Sequence, residues 1–135
     1  MIAQRYYDND IPLPLSELIK IYNSSCPSLS TCKDLSYIPY ILTSTILMEI
    51  LLKRILFKLN GRYRGTHNIK TLADSFDQFG IELRKFSKEE LEFLTIDHSS
   101  IRYTLNLYFS VTLNESTVDG LFEYFISLAV SLGVE

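Results

Sequence analysis

Residues 36–59, SYIPYILTSTILMEILLKRILFKL, constrain the fold more than any other stretch of this chain. Placed on a wheel at about 100° per residue, Ile38, Leu42, Thr45, Leu52 and Leu56 share one face, with a single carboxylate, Glu49, near its middle. Arg54 and Lys58 fall on the opposite side, which Leu47 and Leu51 partly cover. A helix that is apolar nearly all round is packed by neighbours on several sides. This one is therefore expected at the centre of the molecule. Pro39 fits only in its first turn, where no helical hydrogen bond is lost. Its stop is written in Lys58 and then Asn60–Gly61, a cation beside the negative helix end followed by left-handed cap chemistry. The stretch is not read as a membrane span. Lys53 and Arg54 cut it short of the roughly 20 apolar residues a bilayer needs, and Glu49 would be costly there.

With 135 residues, one domain covering 1–135 is expected. Aromatic content of 13% and a charged fraction of 21% suit a packed core and argue against disorder. A net charge of −3 gives no overall attraction to nucleic acid or anionic lipid, so any such contact has to be a local patch. Cys26 and Cys32 stand without a His or Cys cluster, which indicates neither a zinc site nor a disulfide framework. Two thiols in a reducing compartment is the reading. The opening MIAQRYYDND has no apolar run and carries acids early, unlike a secretory signal; a cytoplasmic location is expected.

Residues 1–12 read as a tail leading to a first helix over residues 14–22, striped by Leu15, Leu18, Ile19 and Tyr22. Residues 23–33, rich in Ser and holding Pro27, have loop composition. After the central helix, a third begins at His67–Asn68, buries Ile69, Leu72, Phe76 and Phe79, and ends at Gly80. Ser87 with Glu90 matches a capping box, and Phe86 with Leu91 a hydrophobic staple, for a short helix over residues 88–96. Residues 97–100 break it. Residues 101–113 are rich in β-branched and aromatic side chains and are expected as irregular structure or a short helix. Ser116 and Asp119 cap a last helix over residues 117–132 with Leu121, Phe125, Leu128 and Leu132 inward. Four or five helices on short connections predict an all-α fold, an antiparallel four- to five-helix up-and-down bundle.

Chemistry is concentrated where the central helix ends. Residues 53–70 hold Lys53, Arg54, Lys58, Arg62, Arg64 and Lys70 and no acid, in a chain that is acidic overall. One reading is a phosphate surface built from loop guanidiniums and helix-start amides. The other is that Lys53, Arg54 and Lys58 complement the helix end and the rest are solvated. His67 is a general base, a phosphate contact or a helix-start residue bonded to backbone. Arg62 and His67 together could cleave RNA, with His67 taking the 2′-hydroxyl proton and Arg62 stabilising the phosphorane charge. Glu49, on a core stripe, must be paired, hydrogen-bonded or protonated. Arg102 and His67 are its candidate partners, either as a buried ion pair fixing helix register or as a functional polar pocket. His98, after Asp97, is expected to face solvent. No glycine-rich phosphate loop, catalytic Ser/His/Asp grouping or metal-spaced cluster appears, so no metal or cofactor is expected.

The run MEILLKRILFKLNGRYRGTHNIKTL resembles the core of a HEPN domain, the nucleotide-binding domain shared by higher eukaryotes and prokaryotes. Members commonly place a Glu on a helix, a Lys four residues on, a Gly-containing loop and then a His opening the next helix. Glu49, Lys53, Gly61 and His67 match that order. Ile101–Arg102–Tyr103 is similar to the Arg–Tyr that follows the short helix in the sacsin-type and nucleotidyltransferase-associated branch, and the helix order agrees from Leu13 to about Leu132. The resemblance implies a dimerising helical bundle with a cleft for a nucleotide or RNA. Ribonuclease members carry an Arg and, after a short spacer, a His, late in the domain. Arg102 has no His after it, and Arg62–His67 lies in the wrong place with Tyr63 behind the Arg, so a non-cleaving member is implied.

The leading expectation is thus a homodimeric, HEPN-like module binding a nucleotide or other phosphorylated ligand, accessory to a nucleotidyltransferase partner or a toxin–antitoxin system. Arg62, Arg64 and His67 would meet phosphates, with Lys53, Glu49, Arg102 and Tyr103 around them. The alternatives are a metal-independent endoribonuclease toxin using Arg62 and His67, and a protein adaptor without ligand.

Overall fold

The computed structural model describes residues 7–30, 37–96 and 115–135. The described chain is mostly helical: α1 Leu15–Ser30, α2 Tyr37–Asn60, α3 Ile69–Asp74 continued by a 3₁₀ turn Ser75–Phe79, α4 Lys88–Leu94, and α5 Glu115–Ser131. A short antiparallel ladder joins β1 Tyr7–Asp8 to β2 Tyr63–Arg64, pairing Tyr7 with Arg64 and Asp8 with Tyr63. No helix among the described residues is long and apolar enough to cross a membrane.

The central position expected for α2 is observed. It packs against α1, α3, α5 and β2, while α4 packs on α5 and α3. Leu47, Met48, Leu51, Leu52, Ile55 and Leu56 are buried around its circumference. Burying one such side chain contributes about 1.5–3 kcal/mol before entropy is counted. Ser44 and Thr45 are buried among them, and Thr45 returns its hydroxyl to the Leu42 carbonyl at 2.9 Å. That local bond satisfies a polar group that water cannot reach. Pro39 sits in the first turn, and Gly61 takes a φ of +75° after the last one, its N–H donating to the Phe57 carbonyl at 2.7 Å.

Two local expectations match closely. Asn68 caps α3, its Oδ1 accepting from the Thr71 amide at 3.0 Å, and Gly80 closes the 3₁₀ turn at φ +74°. Ser87 and Glu90 form both halves of the capping box on α4. Leu91, expected in a staple, is left exposed.

Other expectations are corrected. The chain stays helical through Ser30, so much of the stretch assigned to a loop belongs to α1. Ser24 is accommodated there by donating its hydroxyl to the Lys20 carbonyl at 2.7 Å, which removes its competition with the helix. The last helix begins before its expected cap, at Glu115, and Asp119 accepts a hydrogen bond from the Tyr22 hydroxyl of α1. The Tyr22 ring also stacks on Phe122, with centroids 4.1 Å apart. The buried face of α5 is Val118, Leu121, Phe122, Phe125 and Ala129, with Leu128 and Leu132 only half-buried. The expected tail, from Tyr7 on, lies against the end of α2. Tyr63 donates its hydroxyl to the Asp10 carbonyl at 3.0 Å, and Arg54 Nη1 donates to the Pro12 carbonyl at 3.0 Å.

Cys32 and the remainder of the serine-rich loop, the break at residues 97–100 with His98, the segment 101–113, and Arg102 and Tyr103 with it, lie outside the described residues.

Candidate functional site

Two side-chain clusters adjoin along the C-terminal half of α2. The first is centred on Glu49, whose side chain is 8% exposed. Its Oε2 accepts from Lys53 Nζ at 2.8 Å and lies 2.9 Å from His67 Nδ1. Glu49 and Lys53 come together because they are one turn apart on the same helix. His67 arrives from the loop after β2, just before the Asn68 cap. The Glu49 carboxylate is placed to accept an N–H from His67 Nδ1 as well as from Lys53. Most of the His67 side chain is in water, at 65% exposure, against 13% for Lys53. The arrangement is a buried carboxylate fixing the orientation of a surface imidazole.

The second cluster lines a cavity of about 220 Å³ formed by Tyr7, Leu56, Asn60, Arg62, Tyr63, Arg64, Ser75, Gln78 and Phe79. The ladder builds it. Pairing of Tyr7 with Arg64 brings the start of the chain over the loop that follows Gly61. Arg62 then lies on the Tyr7 ring, its guanidinium carbon 4.6 Å from the centroid. Tyr63 joins the clusters: it lines the cavity, and Lys53 Nζ sits 5.2 Å from its ring centroid. Cations over aromatic faces at these distances are held by the ring quadrupole.

Electrostatics separate Arg64 from its neighbours. Four cations among the described residues are half-buried: Lys53, Arg54, Arg64 and Lys70. Lys53 has Glu49, Lys70 has Asp74 at 2.7 Å, and Arg54 has two main-chain oxygens, of Pro12 and Glu135, each at 3.0 Å. Among the described residues Arg64 has no oxygen partner. Arg62 likewise has no acidic partner there, only the face of Tyr7.

Of the residues the sequence singles out, Glu49, Lys53 and His67 therefore form one group, and Arg62 and Arg64 line the adjoining cavity. His67 is not among the cavity's lining residues. Arg54, read as complementing the helix end, clasps the Pro12 and Glu135 main chains. Arg102 and Tyr103 cannot be placed, being outside the described residues. Sequence reasoning missed Tyr7, Tyr63, Asn60 and Gln78. The Arg–Tyr–Arg order was a signal for Tyr63, whereas nothing local marks Tyr7 or Gln78.

A separate clasp lies on α4. Arg84 Nη1 and Nη2 bond Glu90 Oε1 and Oε2, each at 2.9 Å, and the guanidinium lies 4.6 Å from the Tyr124 centroid. The hydrogen bonds from Arg84 hold the Glu90 carboxyl below its usual range, helped by the Ser87 amide, and Glu90 raises Arg84 in return. This pair secures the entry to α4.

Comparison with family models, curated proteins and solved structures finds no match to the chain.

Proposed function

We propose that this chain is a HEPN-like module, an antiparallel up-and-down helical bundle acting as a cytoplasmic homodimer, whose cavity beside α2 binds a nucleotide or other phosphorylated ligand. One observation carries the reading: Arg64 is half-buried at the cavity wall with no oxygen partner among the described residues. A partly desolvated guanidinium is costly until an anion meets it, and its planar fork suits phosphate. Arg62 stands beside it in the chain as a second donor. In a protein of net charge −3, such a local pair selects for a compact anion rather than a long polyanion. A nucleotidyltransferase or toxin–antitoxin partner is the setting implied by the HEPN resemblance. Isothermal titration of the full chain with ATP, GTP and short RNAs tests the reading. Binding heat that disappears in Arg64→Ala is expected; no heat with any of them at millimolar ligand would overturn it.

A second reading is favoured by the Glu49–His67 contact at 2.9 Å. A carboxylate-oriented histidine is suited to take a proton, so with Arg62 as the anion stabiliser the chain would act as an endoribonuclease. Prolonged incubation with total RNA decides it: cleavage lost in His67→Ala supports this reading, and intact RNA removes it.

A further inference from the structure

We infer that the group held at this cavity is a diphosphate, one phosphate to each of Arg62 and Arg64, and that Tyr7 is the positioning residue that keeps Arg62 beside Arg64. The inference rests on the phosphate reading above and names the anion. The ladder supplies the geometry. Tyr7 stands opposite Arg64 in its register, and the side chains of opposed residues share one face of an antiparallel pair. Arg62, two residues before Arg64, falls on the same face by the alternation of a strand. Its guanidinium carbon accordingly lies 4.6 Å from the Tyr7 ring centroid. Tyr63, between the two arginines, takes the other face and is buried, its hydroxyl bonded to the Asp10 carbonyl. Asp8 is opposite Tyr63, so the acid of the ladder is directed away from the arginines, where its Oδ1 accepts from the Asp10 amide at 3.0 Å. Two guanidiniums thus share a face with an aromatic ring and no carboxylate. A lone phosphate satisfies one planar fork, whereas two joined phosphates give each fork its own partner. Arg62 is exposed, and a free arginine there would lose much rotamer entropy on binding. The Tyr7 face restricts it beforehand. At about 220 Å³ the cavity suits a compact anion, with whatever carries the diphosphate left outside.

Calorimetric titration of the full chain with orthophosphate, pyrophosphate, AMP and ADP tests this, repeated on Tyr7→Phe, Tyr7→Leu and Arg62→Ala. The native chain is expected to bind pyrophosphate at least about tenfold tighter than orthophosphate, and ADP tighter than AMP by a similar factor. ADP at least as tight as pyrophosphate identifies a nucleotide-borne diphosphate, and ADP weaker than pyrophosphate identifies the free anion; both support the inference. Tyr7→Phe keeps the ring face and should keep the ratio of pyrophosphate to orthophosphate affinity. Tyr7→Leu leaves the net charge unchanged, so a site that merely prefers the more charged anion would keep its ratio there. The inference instead expects the ratio to collapse to about twofold or less in Tyr7→Leu and in Arg62→Ala. Equal binding of the two anions by the native chain, or a ratio that survives in Arg62→Ala, would overturn the diphosphate assignment while orthophosphate binding keeps the phosphate site. Tyr7→Leu weakening both anions alike would overturn the positioning role, since a residue that only walls the cavity does that. Failure of both anions to bind the native chain would remove the phosphate reading and this inference together.

Discussion

Glu49 joins the core of α2 to its surface, because one carboxylate oxygen meets both a largely buried ammonium and a solvent-facing imidazole. Removing it strands Lys53, and an unpaired charge in that position costs several times what the pair contributes. Glu49→Ala is expected to lower unfolding stability by about 3 kcal/mol. Glu49→Gln, which can still accept, should lose about half as much. Urea denaturation of the two variants checks both the loss and its order. Glu90 gives a pH prediction. Its carboxyl is held below the usual range in the folded chain, so its contribution is complete above the ordinary carboxylate pKa and is lost as pH falls through the folded value. The contribution stays under about 1 kcal/mol because Arg84 is partly in water. Denaturation midpoints of the native chain and Glu90→Gln should therefore differ near neutrality and converge in acid.

Elements here are set by short-range signals at their ends and by long-range contacts along their sides. Several of the ends were legible, though not the end of α1 at Ser30 or the start of α5 at Glu115. Gly61, Gly80 and Gly133 all adopt positive φ where a helix or turn stops, and the Ser87–Glu90 box forms as its spacing implies. The all-round apolar surface of α2 also gave its central place directly. What stayed hidden depends on residues far apart in sequence. The β1–β2 ladder needs a partner more than fifty residues away, and neither strand is long enough to show alternation. Asp119 looked like a cap because its spacing from Ser116 is right, but the Tyr22 hydroxyl of another helix claims it. The Glu49–Lys53–His67 cluster was partly visible, since one turn of helix relates the first two and the HEPN resemblance marks all three. The cavity was not, because Tyr7 reaches it only through the ladder. Gly61 is where these scales meet, as it ends α2 and aims the Arg62–Arg64 strand. A Cβ there would meet no atom within 4 Å, so the penalty of Gly61→Ala is the backbone's alone. About 1–2 kcal/mol of lost stability is expected, read by thermal unfolding. Ser87→Ala should cost about 1 kcal/mol and loosen α4, read as faster amide exchange over residues 88–94.

At the scale of the whole molecule, the charge balance sets the terms for any ligand. A chain of net charge −3 repels anions in general, so binding at the cavity has to come from short-range contacts with Arg62 and Arg64. The central claim is that Arg64 is held half-buried in wait for an anion. Its most direct test compares thermal midpoints of the native chain and Arg64→Met, with and without millimolar pyrophosphate. The account predicts that pyrophosphate raises the native midpoint and leaves the variant unmoved, while the variant without ligand is as stable as the native chain or more so. No rise in the native chain, or the same rise in both, would contradict it.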